Sequence, residues 1–182
     1  DKAQLRLAGG ASLEETGVAT ASPRGHAIQL RINMETMVPD GSAKPGGGIL
    51  SAFEPPSGPG VRVDTYGYAG YRTNPNFDSL LAKVIVHVPS VEFADALIRA
   101  ERALAAFRLE GAPSNLAFLR ALIAHTDFRA GKIYTRFVDD NAAALIDAGL
   151  PPPEGGPGVI LVQVVVHRAQ RVHDPRAVGR TV

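Results

Sequence analysis

The hydrophobic period of this chain changes once, near residue 90, and that change limits the fold more than any other feature. Before it, apolar residues recur at every second position. Ile28, Leu30 and Ile32 share one face of residues 26–35, with Ala27, Gln29 and Arg31 on the other. Val61, Val63 and Thr65 repeat the pattern at the head of residues 61–71. Strand side chains alternate between faces, so this pattern predicts half-buried strands. Leu80 to Val88 reads as an apolar strand carrying Lys83 and His87, and Ile49 to Phe53 as a short one stopped by Pro55-Pro56. After residue 90, Phe93, Leu97, Ala100, Leu104 and Phe107 recur at spacings of 4, 3, 4 and 3, one stripe along a helix. Ser90 is the expected N-cap, and Asp95 and Arg99 an outward i,i+4 pair. Residues 108–111 form a short link or strand. Ser114 caps a second helix, with Leu119, Leu122 and Ile123 inward, and Thr135 a third that ends near Gly149. Strands first and helices after predict an α+β fold, an antiparallel sheet followed by packed helices, rather than an alternating parallel sheet.

The punctuation divides the chain. Residues 1–23 read as a short helix, with Leu5 and Ala8 at helical spacing and Gly9-Gly10 as its stop, then a loop closed by Pro23. Residues 24–148 are the domain. Residues 149–158, with Pro151-Pro152-Pro153 and Gly155-Gly156-Pro157-Gly158, are a linker by composition. Residues 159–182 read as a separate piece, an apolar strand then a basic tail with Arg168, Arg171, Arg176 and Arg180, a possible start of a following domain. Because the pattern opens inside a helix, the chain reads as cut from something longer. Its 182 residues, 45% hydrophobic, suffice for one core.

Several classes are disfavoured. A net charge of +1 does not suit a strongly cationic nucleic-acid binder. No apolar run is long enough to span a bilayer. Without cysteine there is no disulfide, thiolate metal site or cysteine nucleophile, which suits a cytoplasmic setting. The histidines at 26, 87, 125, 167 and 173 lack metal-ligand spacing, so no metal is expected. Gly46-Gly47-Gly48 lacks the Lys-Ser/Thr and helix of a phosphate loop.

Two constellations remain. Arg62 and Asp64 leave the Val61/Val63 face together, roughly 7 Å apart along a strand. An arginine there presents a planar fork for a carboxylate, carbonate or phosphate, with Asp64 holding it; the alternative is a solvated surface pair. Asp78 and Ser79 follow the Asn74-Pro75 turn, and Lys83 sits in an apolar strand where it needs a partner or an exit to water. A structural hydrogen bond at the strand entrance and a snorkelling lysine are the favoured account of them. Tyr66, Tyr68 and Tyr71 resemble a stacking platform, but with few basic residues among them packing on the sheet is expected.

The run Arg24-Gly25-His26-Ala27-Ile28-Gln29-Leu30-Arg31-Ile32-Asn33 is followed by Gly60-Val61-Arg62-Val63-Asp64, Gly70-Tyr71 and Phe77-Asp78-Ser79-Leu80-Leu81-Ala82-Lys83-Val84-Ile85-Val86-His87. Arg102-Ala103-Leu104, Glu110-Gly111, Asn115, Phe118-Leu119 and Asp127-Phe128-Arg129-Ala130-Gly131 complete the order. Over residues 24–142 this resembles the C-terminal domain of biotin carboxylase, found in acetyl-CoA, propionyl-CoA and pyruvate carboxylases. Residues 1–23 resemble the helix and loop that close that family's ATP-grasp region. The segments Asn76-Phe77 and Tyr66-Gly67-Tyr68 depart from the family's usual pattern.

The resemblance implies a role. The family makes carboxybiotin from biotin, bicarbonate and MgATP through carboxyphosphate, whose phosphate deprotonates the ureido nitrogen. The arginine of Gly-Val-Arg, here Arg62, stabilises the biotin enolate, so Arg62 is the expected catalytic and biotin-binding residue. Asp64 and Glu110 are expected to support it by position, and Asp78, Ser79 and Lys83 to be structural nearby. MgATP and bicarbonate belong to an ATP-grasp portion of the same polypeptide. Neither that portion nor a Met-Lys-Met biotin-attachment motif stands in this sequence, so the chain alone is expected to be inactive. Implied partners are biotin carboxyl carrier and carboxyltransferase domains or subunits, and a second copy in a homodimer, with no nucleic acid and no membrane. The alternative is a non-catalytic dimerisation or interaction module derived from that domain.

Overall fold

The structure is a computed structural model that describes residues 2–18, 24–38 and 40–149, and the backbone of 165–168. The expected linker, apart from Gly149, and Arg171, Arg176 and Arg180 of the expected tail lie outside the described residues. The chain divides into two compact units, Asp1–Arg24 with Ala169–Val182, and Gly25–Arg168.

In the first unit, α1 (Lys2–Ala8) is followed by α2 (Leu13–Thr16). The single helix expected here is two. Ser12 and Glu15 form a capping box that starts α2, with Glu15 N–H donating to Ser12 Oγ and Ser12 N–H to Glu15 Oε2.

The second unit is built on β1 (His26–Asn33), β5 (Val61–Thr65), β6 (Leu80–Val88) and β8 (Val165–Arg168), in the sheet order β5-β6-β1-β8. Every pairing in it is antiparallel. The strands of β1 and β6 match the sequence pattern because their alternation is real burial: Ile28, Leu30, Ile32, Val84 and Val86 are fully inaccessible. Residues 165–168 pair with His26–Gln29, so this part of the expected separate piece stands in the domain's own sheet. Edge strands leave backbone groups unpaired, and β8 covers the edge of β1 along His26–Gln29.

Smaller pairs flank the sheet. β2 (Glu35–Met37) pairs with β3 (Ala43–Pro45), and β4 (Ala52–Glu54) with β7 (Arg108–Glu110). The helices are α3 (Phe93–Ala106), α4 (Leu116–Ala124), α5 (Thr126–Arg129) and α6 (Phe137–Gly149). Ala96, Leu97, Ala100 and Leu104 of α3 pack with Leu119, Leu122 and Ile123 of α4 and with Leu145 and Ile146 of α6 against the apolar sheet face. The fold is therefore α+β, as the change of period predicts. A smaller cluster of Met34, Leu50 and Leu81 packs with Phe53, Tyr71 and Leu109.

Caps differ from expectation where a side chain is needed elsewhere. Ser90 Oγ accepts from Glu92 N–H, while Glu92 occupies the N-cap position of α3. At α4 the N-cap is Asn115, not Ser114, and its side chain does not cap. Asn115 Oδ1 accepts from Asn33 N–H at 3.0 Å and its Nδ2 donates to the Arg31 carbonyl at 3.1 Å, which splices α4 to the end of β1. The sequence did not signal α5. It begins where His125 Nδ1 accepts from Asp127 N–H. On α4, Arg120 donates to the Leu104 carbonyl and so closes the end of α3.

Candidate site on the open face of the sheet

With the apolar face covered, the opposite face of β5, β6 and β1 carries the polar residues. Register sets them in rows. Arg62 lies opposite Ile85, which lies opposite Gln29. Asp64 lies opposite Lys83, which lies opposite Arg31.

Arg62 and Asp64 meet as their spacing predicts. Arg62 Nε donates to Asp64 Oδ1 at 3.2 Å and Nη2 to Oδ2 at 3.4 Å, a fork against a fork. The Arg62 side chain remains 70% exposed, so a second ligand can reach it. Its approach is fixed from behind. Arg99 Nη1 donates to the Pro59 and His87 carbonyls at 2.9 and 3.0 Å, and His87 N–H donates to the Gly60 carbonyl. Arg99 thus grips the turn that delivers Arg62 instead of forming the expected ion pair with Asp95. Gly60 has φ +72°. A Cβ there would fall on Arg99 Nη1 and the His87 carbonyl, so that close approach requires glycine.

Asp78 and Ser79 stand at the entrance to β6. Asp78 Oδ2 is 3.7 Å from Arg31 Nη2, and Asp78 Oδ1 accepts from Leu80 N–H. Ser79 Oγ donates to Glu35 Oε2 at 3.0 Å, and Asn33 Nδ2 donates to Glu35 Oε1 at 3.0 Å. Burial pushes the Glu35 carboxyl above its ordinary value, while hydrogen bonds from Asn33 and Ser79 and the Arg31 charge pull it back. Sequence reasoning missed Glu35, Asn33, Arg31 and Asn115. Their one signal was polar side chains at the end of an apolar strand. Lys83 is half-buried between Asp64 and Arg31 in its row.

Glu110 lies on β7, in the two-stranded pair with β4, and accepts from Arg108 Nε at 2.9 Å. One expectation changes. Tyr66 and Tyr68 do not pack into the sheet. Thr65 Oγ1 donates to the Leu81 carbonyl and accepts from Gly67 N–H, which ends β5 and turns the tyrosines outward. Their exposed rings meet Tyr71 edge to face at 5.5 and 5.6 Å. Burial, then Tyr71 and Asp78, push the Tyr66 phenol up. The Gly46–Gly48 run serves close packing: Thr73 N–H donates to the Gly48 carbonyl, and a Cβ on Gly48 would strike Gly111. Among the described residues no group of three or more acidic or histidine side chains is placed to hold a metal ion. No helix among them is long and apolar enough to cross a membrane.

Residues 29–140 match the family described as the biotin carboxylase C-terminal domain, which includes this face and the helices behind it. The chain belongs to that family. A biotin carboxylase of Nostoc sp. (strain PCC 7120) is 38% identical over 137 residues, 75% of this chain and 30% of the relative. A pyruvate carboxylase subunit of Methanothermobacter thermautotrophicus is 35% identical over 139 residues, 76% of this chain and 27% of the relative. A solved single-chain, multi-domain long-chain acyl-CoA carboxylase superposes with TM-score 0.73 at 44% identity, covering 84% of this chain and 16% of that one. This biotin carboxylase C-terminal domain therefore spans less than a third of the curated relatives it matches.

Proposed function

We propose that this domain contributes Arg62 to a biotin carboxylase site in which biotin is carboxylated at the expense of MgATP and bicarbonate. The observation that carries the reading is the exposed guanidinium locked by Asp64 on the open face. As the ureido proton leaves, negative charge grows on the ureido oxygen. A permanently charged, planar donor pair aimed at that oxygen stabilises it more than the ground state, which is what lowers the barrier. Asp64 orients the fork. Arg99 and Gly60 fix the turn behind it, while Asp78, Ser79 and Lys83 support the neighbouring row. Glu110, on β7, acts as support. An exposed cationic fork with donors left over after Asp64 supports biotin as the group it meets.

MgATP and bicarbonate are assigned to an ATP-grasp portion of a longer polypeptide, and the 182 residues alone are inactive. A carrier domain presents biotin, and a carboxyltransferase, in an acyl-CoA or pyruvate carboxylase, selects the acceptor. The setting is the cytoplasm. In the polypeptide that includes the ATP-grasp portion, Arg62→Ala is expected to lower biotin-dependent ATP cleavage by about 100-fold or more. Cleavage unchanged by that substitution removes Arg62 from the mechanism.

A second reading has its own observation. Val91, two residues before α3, is 73% exposed and Ile98 of α3 39%, apolar side chains available to a second copy. On this reading the domain serves dimerisation. Sedimentation of the 182-residue chain tests it, and a strict monomer at high concentration counts against it.

A further inference from the structure

Glu35 is the first residue of β2, only 5% exposed, and neither the sequence motifs nor the chemistry proposed for Arg62 uses it. Burying a carboxylate carries a desolvation penalty that an apolar residue at the same place avoids. The penalty is offset by what the group holds. Asn33 Nδ2 donates to one oxygen and Ser79 Oγ to the other, both at 3.0 Å. Met34 N–H donates to the Ser79 carbonyl at 2.7 Å, so backbone and carboxylate together close a ring where β1 ends and β6 begins. The β1–β6 register breaks at this point, between Ile32 and Asn33, and the ladder alone does not fix the entrance.

What the ring fixes is the residue next to it. Asp78 precedes Ser79 and faces Arg31, whose side chain is only 16% exposed. Arg31 Nε and Asn33 Oδ1 are buried without a hydrogen-bond partner among the described residues, so this corner has no spare contacts to hold it in place. Across the sheet, Arg31 lies opposite Lys83 and Lys83 opposite Asp64, the carboxylate that grips Arg62.

We propose that Glu35 is a positioning residue of the open face. By holding Ser79 it sets Asp78 against Arg31, and with them the charged row that ends at the Asp64–Arg62 pair. Its functional meaning rests on the reading of Arg62 above. The geometry it claims is measurable on this chain with no carboxylation at all, so the two fail separately: one by unmoved signals here, the other by unchanged ATP cleavage in Arg62→Ala.

The test is solution NMR of the full 182-residue chain, following the Asp78 and Ser79 amides and the Nε–H signals of Arg31 and Arg62. Ser79→Ala removes only the loop-side bond and leaves Glu35 in place. It is expected to shift the Arg31 Nε–H signal and to speed exchange of the Arg62 Nε–H proton, which donates to Asp64, about tenfold, the scale of one lost hydrogen bond, while α3 amides keep their protection. Glu35→Ala is expected to do the same. Glu35→Gln is expected to restore native exchange, because an amide can accept from Asn33 and donate to Ser79 Oγ. A pH series adds a readout that packing alone does not move. In the native chain the Asn33 and Ser79 signals titrate with a midpoint above the ordinary glutamate value, and in Glu35→Gln they do not. The charged groups acting on Glu35 are Arg31 of β1 and Asp78 of the preceding loop, of opposite sign. If Ser79→Ala leaves the Asp78, Arg31 and Arg62 signals unmoved, the proposal fails. It also fails if Glu35→Gln leaves them as mobile as Glu35→Ala does. Should Glu35→Ala not fold, Ser79→Ala decides alone.

Discussion

Arg62 and Glu35 are both charged, yet only one was legible in the sequence. Arg62 follows a clean alternation, so its face and its partner Asp64 follow from a period of two. Glu35 is bonded to Ser79, 44 positions away, and no local pattern reaches that far. Its burial has a consequence for stability. The folded chain keeps a proton on Glu35 at a pH where the unfolded chain has lost it. The stabilisation from that proton is full below the ordinary glutamate value and is lost as pH rises through the higher, folded value. Glu35→Gln has no such loss. Urea midpoints of the two proteins, compared from about pH 4 to pH 7, are expected to move in favour of the glutamine variant as pH rises. A constant difference would show that Glu35 titrates alike in both states. Gly60 makes a second residue-scale prediction. Alanine there must adopt a left-handed φ and meet Arg99 and the His87 carbonyl. Gly60→Ala is expected to destabilise by about 1–3 kcal/mol in thermal melts.

At the scale of elements, the α3 stripe was readable because its spacing is its burial. Leu97 is almost wholly buried against the sheet. Leu97→Ala is expected to cost about 2–5 kcal/mol by urea denaturation, since little of the cavity can collapse between sheet and helices. The caps were less readable. Ser90 and Ser114 are good N-cap residues, yet neither occupies the N-cap position. The start of each helix is set by where the preceding segment must leave the sheet. Asn115 shows why: its amide joins Asn33 N–H and the Arg31 carbonyl, so its capping chemistry is spent on β1. Asn115→Ala strands both backbone groups, at about 1–3 kcal/mol each. Stability unchanged in that variant would mean that water replaces the amide.

For the molecule as a whole, stability resides in the apolar interior rather than in charge. The pairs Arg62–Asp64, Arg108–Glu54, Arg129–Glu101 and Arg136–Asp140 are all substantially exposed. Exposed pairs contribute little and are screened by salt. Raising salt to about 1 M is therefore expected to change unfolding free energy by under about 1 kcal/mol. A larger loss would place real stability in these pairs. The sequence by itself determined the class of fold, the strands at 26–33 and 80–88, the stripe of α3 and the Arg62–Asp64 pair. Each depends on neighbours a few positions apart, and a regular period carries that information. Only the tertiary structure decided that residues 165–168 join the edge of β1, that Glu110 pairs with Arg108 on β7, that the tyrosines turn outward and that Glu35 holds the entrance to β6. Those outcomes depend on which distant backbone and side-chain polar groups remain unpaired once the core has closed, and a buried group of either kind needs a partner wherever in the chain one is available.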